Sequence, residues 1–402
     1  MMNRIKATAL LGFTFLLGVS SFGQGWNITT DNAYFDELRV INTAVPFLTI
    51  SPDARAGGMG DAGVAASPDG NAIYWNAAKL AFLEDGTLGG SISYTPWLSR
   101  LVPDIDLAFL SGYGKIGKNQ GLAFSLRYFS LGEINYTDDQ GTAQGTFSPY
   151  EFAFTGAYAL KLSEQWSTGV GLRFIWSDLT QGQPVNGVNT NPGSSVAADV
   201  GVYYQGRQFN IDRGQKGQFS AGMNISNVGA KISYSESGQE DFLPANLRLG
   251  GAFNWQFDKY NAVTFLLDFN KLLVPTPPIR NDSTGEVEFG KDDDVPVLTG
   301  IIQSFADAPG GWKEELQEIN TNIGIEYWYD QTFALRGGFQ YEHPNKGNRR
   351  YFTLGLGIKY NVFGLDFAYL IPADQSVRSP LENTLRFTLF FDLNSLASAG
   401  NE

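Results

Sequence analysis

The sequence predicts an all-β protein, namely a 14-stranded antiparallel transmembrane β-barrel with an N-terminal luminal plug. Three observations predict this fold. From residue 86 onward, apolar and polar residues alternate in segments of about ten residues. The polar side of these segments carries charges and glycines, and the connections between segments are mostly short and long in turn. A membrane barrel requires all three, because its strands face lipid on one side and a polar lumen on the other.

The segment AFSLRYFSL shows the alternation. Leu122, Phe124 and Leu126 share one face, whereas Ser125 and Arg127 lie on the other, as the period of two requires. A soluble β-sandwich also alternates, but it buries one face and so excludes isolated charges from that face. Here the charges expected on the inner face are Arg127, Arg173, Asp199, Arg248, Asp268, Glu326, Arg336, Lys359, Asp366 and Arg386. The charge pattern therefore favours the barrel over the sandwich.

The chain contains fourteen such segments, an even number as bacterial single-chain barrels require. They are expected at 86–95, 104–113, 121–130, 151–161, 166–177, 196–205, 218–228, 245–257, 260–269, 319–329, 332–342, 350–360, 363–371 and 382–392. The long connections are 131–150, 178–195, 229–244 and 270–318, and the last includes a short helix expected at GGWKEELQEI. Long loops face the outside of the cell and short turns face the periplasm in outer-membrane barrels. We therefore expect any partner-binding residues on these four loops.

Three further segments flank the barrel, which spans residues 86–392. Residues 1–23 have the pattern of a signal peptide, with Arg4 and Lys6 before an apolar stretch and cleavage after Gly23. A retained membrane anchor is the alternative, but the apolar stretch is short for a span. Residues 24–85 form the N-terminal segment and luminal plug, and residues 393–402 form a C-terminal tail.

Composition excludes several classes of function. Without Arg4 and Lys6 the 28 basic residues become 26, against 41 acidic ones, so the net charge of the processed chain is −15. This charge argues against nucleic-acid binding. The chain has no cysteine and one histidine, His343 in a polar turn, which removes most metal-ligand sets and nucleophilic triads. No catalytic residue, cofactor or metal is therefore expected.

The stretch RAGGMGDAGVAASPDG contains Gly58, Gly60 and Gly63 in the spacing of a dinucleotide-binding loop. Such a loop needs a long helix directly after it, and Pro68 would break that helix almost at once. The small residues instead suit a segment whose backbone passes close to a barrel wall. A mobile linker is the alternative, but the apolar Met59 and Val64 within the stretch favour packing.

The same stretch carries a resemblance. RAGGMGDAGVAASPDGNAIYWNAAKLAFL resembles the N-terminal signature of the outer-membrane long-chain fatty-acid transporter superfamily. More narrowly, SPDARAGGMGDAGVA and SPDGNAIYWNAAKLAF resemble the PorV family of the type IX secretion system. Ala77 departs from the proline that the superfamily usually has after the asparagine, which puts the local turn in doubt. The residues singled out as the structural plug are Arg55, Gly57, Gly58, Gly60, Gly63, Trp75 and Asn76.

The resemblance implies a non-enzymatic role in type IX secretion. Such a protein receives cargo with a C-terminal export signal from a large translocon barrel. It passes the cargo to a surface sortase, which attaches it to lipopolysaccharide of the outer membrane. A diffusion channel for hydrophobic small molecules is the main alternative, and an outer-membrane protease or acyltransferase is a third. Asp292, Asp293 and Asp294 could hold calcium, although a solvated loop face suits these residues better.

Overall fold

The computed structural model describes residues 39–98, 102, 104–137, 142–183, 189–212, 214–235, 240–374, 381 and 384–393. The segment expected to be the signal peptide lies outside the described residues, as do the first part of the expected plug segment and the tail beyond Leu393.

Fourteen long strands form one antiparallel sheet. They are Leu88–Pro96, Asp106–Ile116, Gln120–Ser130, Tyr150–Lys161, Trp166–Asp178, Gly193–Gln205, Lys216–Gly229, Asn246–Gln256, Asn261–Leu272, Asn320–Tyr329, Phe333–Tyr341, Arg350–Tyr360, Phe363–Pro372 and Leu385–Asp392. Each pairs with the long strands before and after it, and the first pairs with the last, so the sheet closes into a barrel. A two-residue strand, Phe209–Asn210, pairs with the start of the strand Lys216–Gly229. The predicted 14-stranded barrel is confirmed, and every strand bound lies within three residues of its expected position.

The loop bounds need a small correction, because several strands extend further than the alternation suggested. The four long connections run over residues 131–149, 179–192, 230–245 and 273–319. All four lie at the same end of the barrel, which we name the long-loop end. The tight turns, such as residues 330–332, lie at the opposite, short-turn end.

The two faces of the strands differ as expected. Phe124 and Leu172 point outward and are well exposed, whereas Ser125 and Gly171 are buried on the inner face. Aromatic rings pair near the short-turn end, where Trp166 and Tyr204 have centroids 4.8 Å apart. An apolar outer band bordered by aromatic rings is the surface that a bilayer requires.

The long loops carry structure of their own. Residues 131–149 contain the hairpin Ile134–Thr137 with Ala143–Phe147. Residues 273–319 contain the hairpin Ile279–Arg280 with Val287–Phe289 and two helices, Val297–Gln303 and Trp312–Gln317. The second helix falls where the sequence predicted one, and the first was not predicted. No helix within the described residues has the length and apolar character needed to cross a membrane.

The plug enters the barrel from the long-loop end and leaves it at the short-turn end. Near its start the Ala44 amide donates to the Phe242 carbonyl in the loop 230–245 (3.0 Å), and at its end the Thr87 carbonyl accepts from the Lys115 amide (2.8 Å). Between these points lie four short helical pieces: Pro46–Thr49, Ala54–Gly57, Ala72–Trp75 and Ala77–Phe82. Their apolar side chains pack on inward-facing strand residues such as Phe109 and Ala157.

Candidate functional site: the luminal plug and the long-loop surface

Trp75 holds the plug helix Ala54–Gly57 in place through a single aspartate. Asp53 is the N-cap of the helix Ala54–Gly57, and its Oδ2 accepts from the Ala56 amide at 2.9 Å. Its Oδ1 accepts from the Trp75 indole Nε1 at 2.7 Å. The indole ring covers Gly63, where an added Cβ would collide with the ring. Two separate parts of the plug are thereby fixed to each other.

Three of the predicted glycines lie against the barrel wall. A Cβ on Gly57 would approach Arg386 Nη1 to 2.6 Å, and one on Gly58 would approach Gly355 Cα to 2.9 Å. Gly60 has φ of +67° and packs against strand backbone, 2.7 Å from the Ile323 carbonyl oxygen by the same measure. No other residue type fits these approaches without movement of the backbone or of a buried arginine.

The wall has matching glycines that sequence reasoning did not assign a role. A Cβ on Gly324 would lie 2.6 Å from the Met59 carbonyl oxygen, and one on Gly121 would lie 2.6 Å from the Leu80 carbonyl oxygen. Gly169, Gly201, Gly222 and Gly338 also contact plug atoms with no room for a side chain. The signal was present in the sequence as glycines at inward positions of the strands, but their partners become identifiable only once the plug is in place.

Arg55 is the centre of a buried ionic network. Its Nε and Nη2 donate to the two carboxylate oxygens of Glu326 at 2.9 and 2.8 Å, and its Nη1 donates to Asp69 at 2.8 Å. Glu326 also accepts from Arg336 (2.8 Å), which in turn donates to Asp366 (2.7 Å). A bidentate arginine–carboxylate pair gives geometric specificity as well as energy. The plug is therefore tied to the wall by a charge cluster that lipid cannot reach.

Lumen side chains also satisfy the plug backbone. Asp268 accepts from the amides of Gly63 (2.7 Å) and Val64 (2.8 Å). Thr353 accepts from the Gly60 amide at 2.8 Å. Irregular backbone at membrane depth requires such partners because no lipid atom can supply them.

Asn76 fixes the turn that the departure at Ala77 had put in doubt. Its Oδ1 accepts from the Ala78 amide at 3.1 Å and caps the helix Ala77–Phe82. Its Nδ2 donates to the Val202 carbonyl on the wall at 2.9 Å. The turn therefore forms without the proline, because the asparagine side chain performs the capping.

A cavity of 530 Å³ lies between plug and wall toward the short-turn end. Its lining includes the charged side chains of Arg55, Asp69, Arg336, Lys359 and Asp366. An apolar molecule in the cavity would remove water from these charged groups, which is unfavourable. The cavity therefore suits water and polar solutes.

The largest loop is pinned to the barrel rim by a second ionic cluster. Glu318 accepts from Lys271 (2.5 Å) and Lys346 (2.9 Å), and Lys346 also donates to Glu314 (2.7 Å). Burial alone would raise the pKa of Glu318, but the two lysines hold it below its usual value. In the same loop, burial raises the pKa of Asp307 to about 6. The lysine contacts fix the base of the loop.

The outer side of this loop presents an unusual apolar surface. Leu298 and Ile302 share one face of the helix Val297–Gln303 by their spacing, and Phe305 follows just after its end. Ile302 is 75 % exposed. Trp312 and Leu316 form a second exposed pair, with Trp312 78 % exposed. We name these five residues the loop apolar face. Exposed apolar side chains of this size are of the kind that a partner covers in an interaction surface.

The loop aspartates and the histidine that the sequence singled out make ordinary structural contacts. Asp292 and Asp293 pair with Arg280 at 2.8 and 2.5 Å on the exposed surface of the loop. Among the described residues no group of histidine, aspartate and glutamate side chains is arranged to hold a metal. His343 lies in the loop 342–349 and its Nδ1 accepts from the Asn345 amide at 3.2 Å.

Comparison with known proteins identifies a family. A family model described as type IX secretion system protein PorV matches residues 33–279, more than half of the chain. No curated protein matches the sequence at a significant level. Among solved structures, the toluene transporter TodX of P. putida aligns with a TM-score of 0.48 at 11 % identity, over 85 % of this chain and 98 % of that one. A FadL homologue of Pseudomonas aeruginosa aligns with a TM-score of 0.38 at 11 % identity, over 88 % and 99 %.

Proposed function

Since this chain belongs to the family of the type IX secretion system protein PorV, we propose that it receives secreted cargo at the outer membrane. The cargo carries a C-terminal export signal and comes from a large translocon barrel. The protein then passes the cargo to the surface sortase, which attaches it to lipopolysaccharide. Outer-membrane lipid surrounds the barrel throughout, and no reaction is catalysed by the chain itself.

The loop apolar face is the observation that carries this proposal. It lies at the long-loop end, which corresponds to the cell exterior in outer-membrane barrels. The face stands on a rigid base, because Glu318 and the two lysines tie the loop to the rim. Its aromatic and aliphatic side chains are of the kind that dominate binding energy when a partner covers them. A cargo domain or the translocon is a partner of suitable size.

The alternative is a channel for hydrophobic small molecules. The lumen offers little support for it, because the plug is interlocked with the wall and the lining of the large cavity beside it includes several charged side chains. A hydrophobic solute would need a continuous apolar path, whereas the path past Arg55 crosses a buried ionic network. Receipt of cargo at the surface requires no such path.

Replacing the loop apolar face tests the proposal. In the variant Leu298→Ser, Ile302→Ser, Trp312→Ser, we expect the cargo that co-purifies with the barrel to fall by about tenfold or more. The matched control is Leu162→Ser, which removes an exposed apolar side chain at the short-turn end. Unchanged cargo recovery in the triple variant would contradict the proposal.

A second pair of deletions separates secretion from transport. Deleting residues 55–70 should leave an assembled barrel, because the strands hydrogen-bond to one another around the closed sheet. It should admit small hydrophilic antibiotics while cargo is still recovered. Excising the loop 273–319 should have the reverse effect, leaving a tight barrel that recovers less cargo. Loss of hydrophobic-solute uptake on plug deletion, with cargo recovery unchanged on loop excision, would support the channel instead.

A further inference from the structure

Two buried arginines on neighbouring parts of the wall face one small cavity. The cavity has a volume of about 10 Å³ and is lined by Arg127, Arg173, Ser125, Thr155, Tyr74 and Leu48, among others. A cavity of this size has room for a single water molecule or a single small ion. Arg127 is 4 % exposed and Arg173 is 7 % exposed. Both charges are therefore shielded from solvent.

The charges around this cavity do not balance. Arg173 is neutralised by Asp199, whose Oδ2 accepts from its Nη2 at 2.7 Å. The single negative charge of Asp199 is already offset by Arg173, and its Oδ1 also accepts from the Asn227 amide at 2.7 Å. Arg127 forms no ion pair with any described residue, and its Nη1 instead donates to the carbonyls of Phe47 (3.0 Å) and Leu48 (2.8 Å).

The remaining atoms of Arg127 are also short of partners. Its guanidinium lies 4.5 Å from the centre of the Tyr74 ring and 5.7 Å from that of Phe109. Its Nη2 is buried and has no hydrogen-bond acceptor among the described residues. Cation–π contacts offset part of the cost of burying a charge, but a buried donor without an acceptor remains unfavourable.

We propose that this cavity is a binding site for one monovalent anion of halide size, held between Arg127 and Arg173. The anion accepts from the free Nη2 and balances the positive charge of Arg127, which forms no ion pair with a described residue. Thr155 contributes as well, since its oxygen accepts from Arg173 Nε at 3.0 Å and leaves its hydroxyl proton free to donate. A water molecule would satisfy the hydrogen bond but leave the charge uncompensated.

The site links the plug to the wall. Arg127 holds the carbonyls of Phe47 and Leu48, so an anion that keeps its guanidinium in place also keeps the plug piece Pro46–Thr49 in place. This role is independent of cargo binding, and it predicts that halide stabilises the region of the plug nearest the long-loop end.

Two measurements test the site. In crystals grown in sodium bromide, the anomalous map should show a peak beside Arg127 Nη2. In detergent, hydrogen exchange of residues 46–50 should be at least about threefold slower in chloride or bromide than in gluconate at equal ionic strength. Arg127→Met should abolish the difference, whereas the control Lys359→Met, remote from the cavity, should keep it.

The bromide map and the exchange rates can each contradict the anion site. A water-like density without anomalous signal, together with equal exchange in all three salts, would overturn the proposal. If Arg127→Met does not assemble, the bromide map and the salt comparison on the unmodified protein still decide the matter.

Discussion

Replacing Gly324 with alanine tests whether the plug and the wall are interlocked through their backbones. Gly324 faces the lumen in the strand Asn320–Tyr329. A Cβ at this position would lie 2.6 Å from the Met59 carbonyl oxygen and 2.8 Å from Met59 Cβ. Ordinary contact begins at 3.4 Å, so one side must retreat by 0.8 Å.

Neither side can yield easily. The strand is hydrogen-bonded to a neighbour along both edges. The plug is held at Gly60 by Thr353, and the Asp61 carbonyl accepts from Asn322 Nδ2 at 2.8 Å. Overpacking of this kind costs about 1–3 kcal/mol. Because the strands have more hydrogen bonds to lose, we expect the plug to move and the barrel to remain.

Hydrogen exchange of the plug amides measures this loss of stability directly. A loss of about 1–3 kcal/mol should speed exchange of the amides in residues 56–64 by about 5- to 150-fold. The heat-modified gel shift that reports on the barrel should change little. The control is Gly112→Ala, which adds the same methyl group to an exposed strand position with open space around it. Equal exchange of the plug in the two variants would refute the interlock.

Three further predictions address the faces, the sidedness and the loop. Leu172→Arg, on the lipid face, should destabilise the barrel by about 2–4 kcal/mol in urea titration, whereas the neighbouring inner variant Gly171→Ser should be mild; equal costs would contradict the assigned alternation. Since the chain has no other cysteine, Asn42→Cys should be labelled by an impermeant maleimide on intact cells and Asp258→Cys should not, and the reverse would invert the topology. Because burial raises the pKa of Asp307 from 3.8 to about 6, its contribution to loop stability is present below pH 3.8 and lost as pH rises to about 6. Asp307→Asn should therefore protect the loop amides more than the native residue at pH 7 and equally at pH 4, and a difference that does not change with pH would contradict this origin.

The sequence alone determined the barrel, because the alternation of apolar and polar residues that produces it is a local property of each strand. Every strand must present apolar atoms to lipid and polar atoms to the lumen, so each stretch of about ten residues records the register independently of the others. This is why the inward positions of Arg127 and Arg173 could be assigned before any tertiary contact was known. The alternation weakens at strand ends, where the chain leaves the bilayer, and the predicted bounds differ from the observed ones there.

Only the tertiary structure decided which wall residues the plug contacts and which side chains of the largest loop are exposed. Arg55 and Glu326 are 271 residues apart, and no periodic pattern relates the two positions. The same holds for Met59 against Gly324, because contact between them depends on how far the closed sheet curves around the plug. The loop apolar face was also not predicted, since only one of its two short helices was expected and the exposure of its side chains depends on how the loop packs on the rim. The alternation of residues is a local property of the sequence, whereas contacts between residues far apart in the chain form only when the barrel has closed.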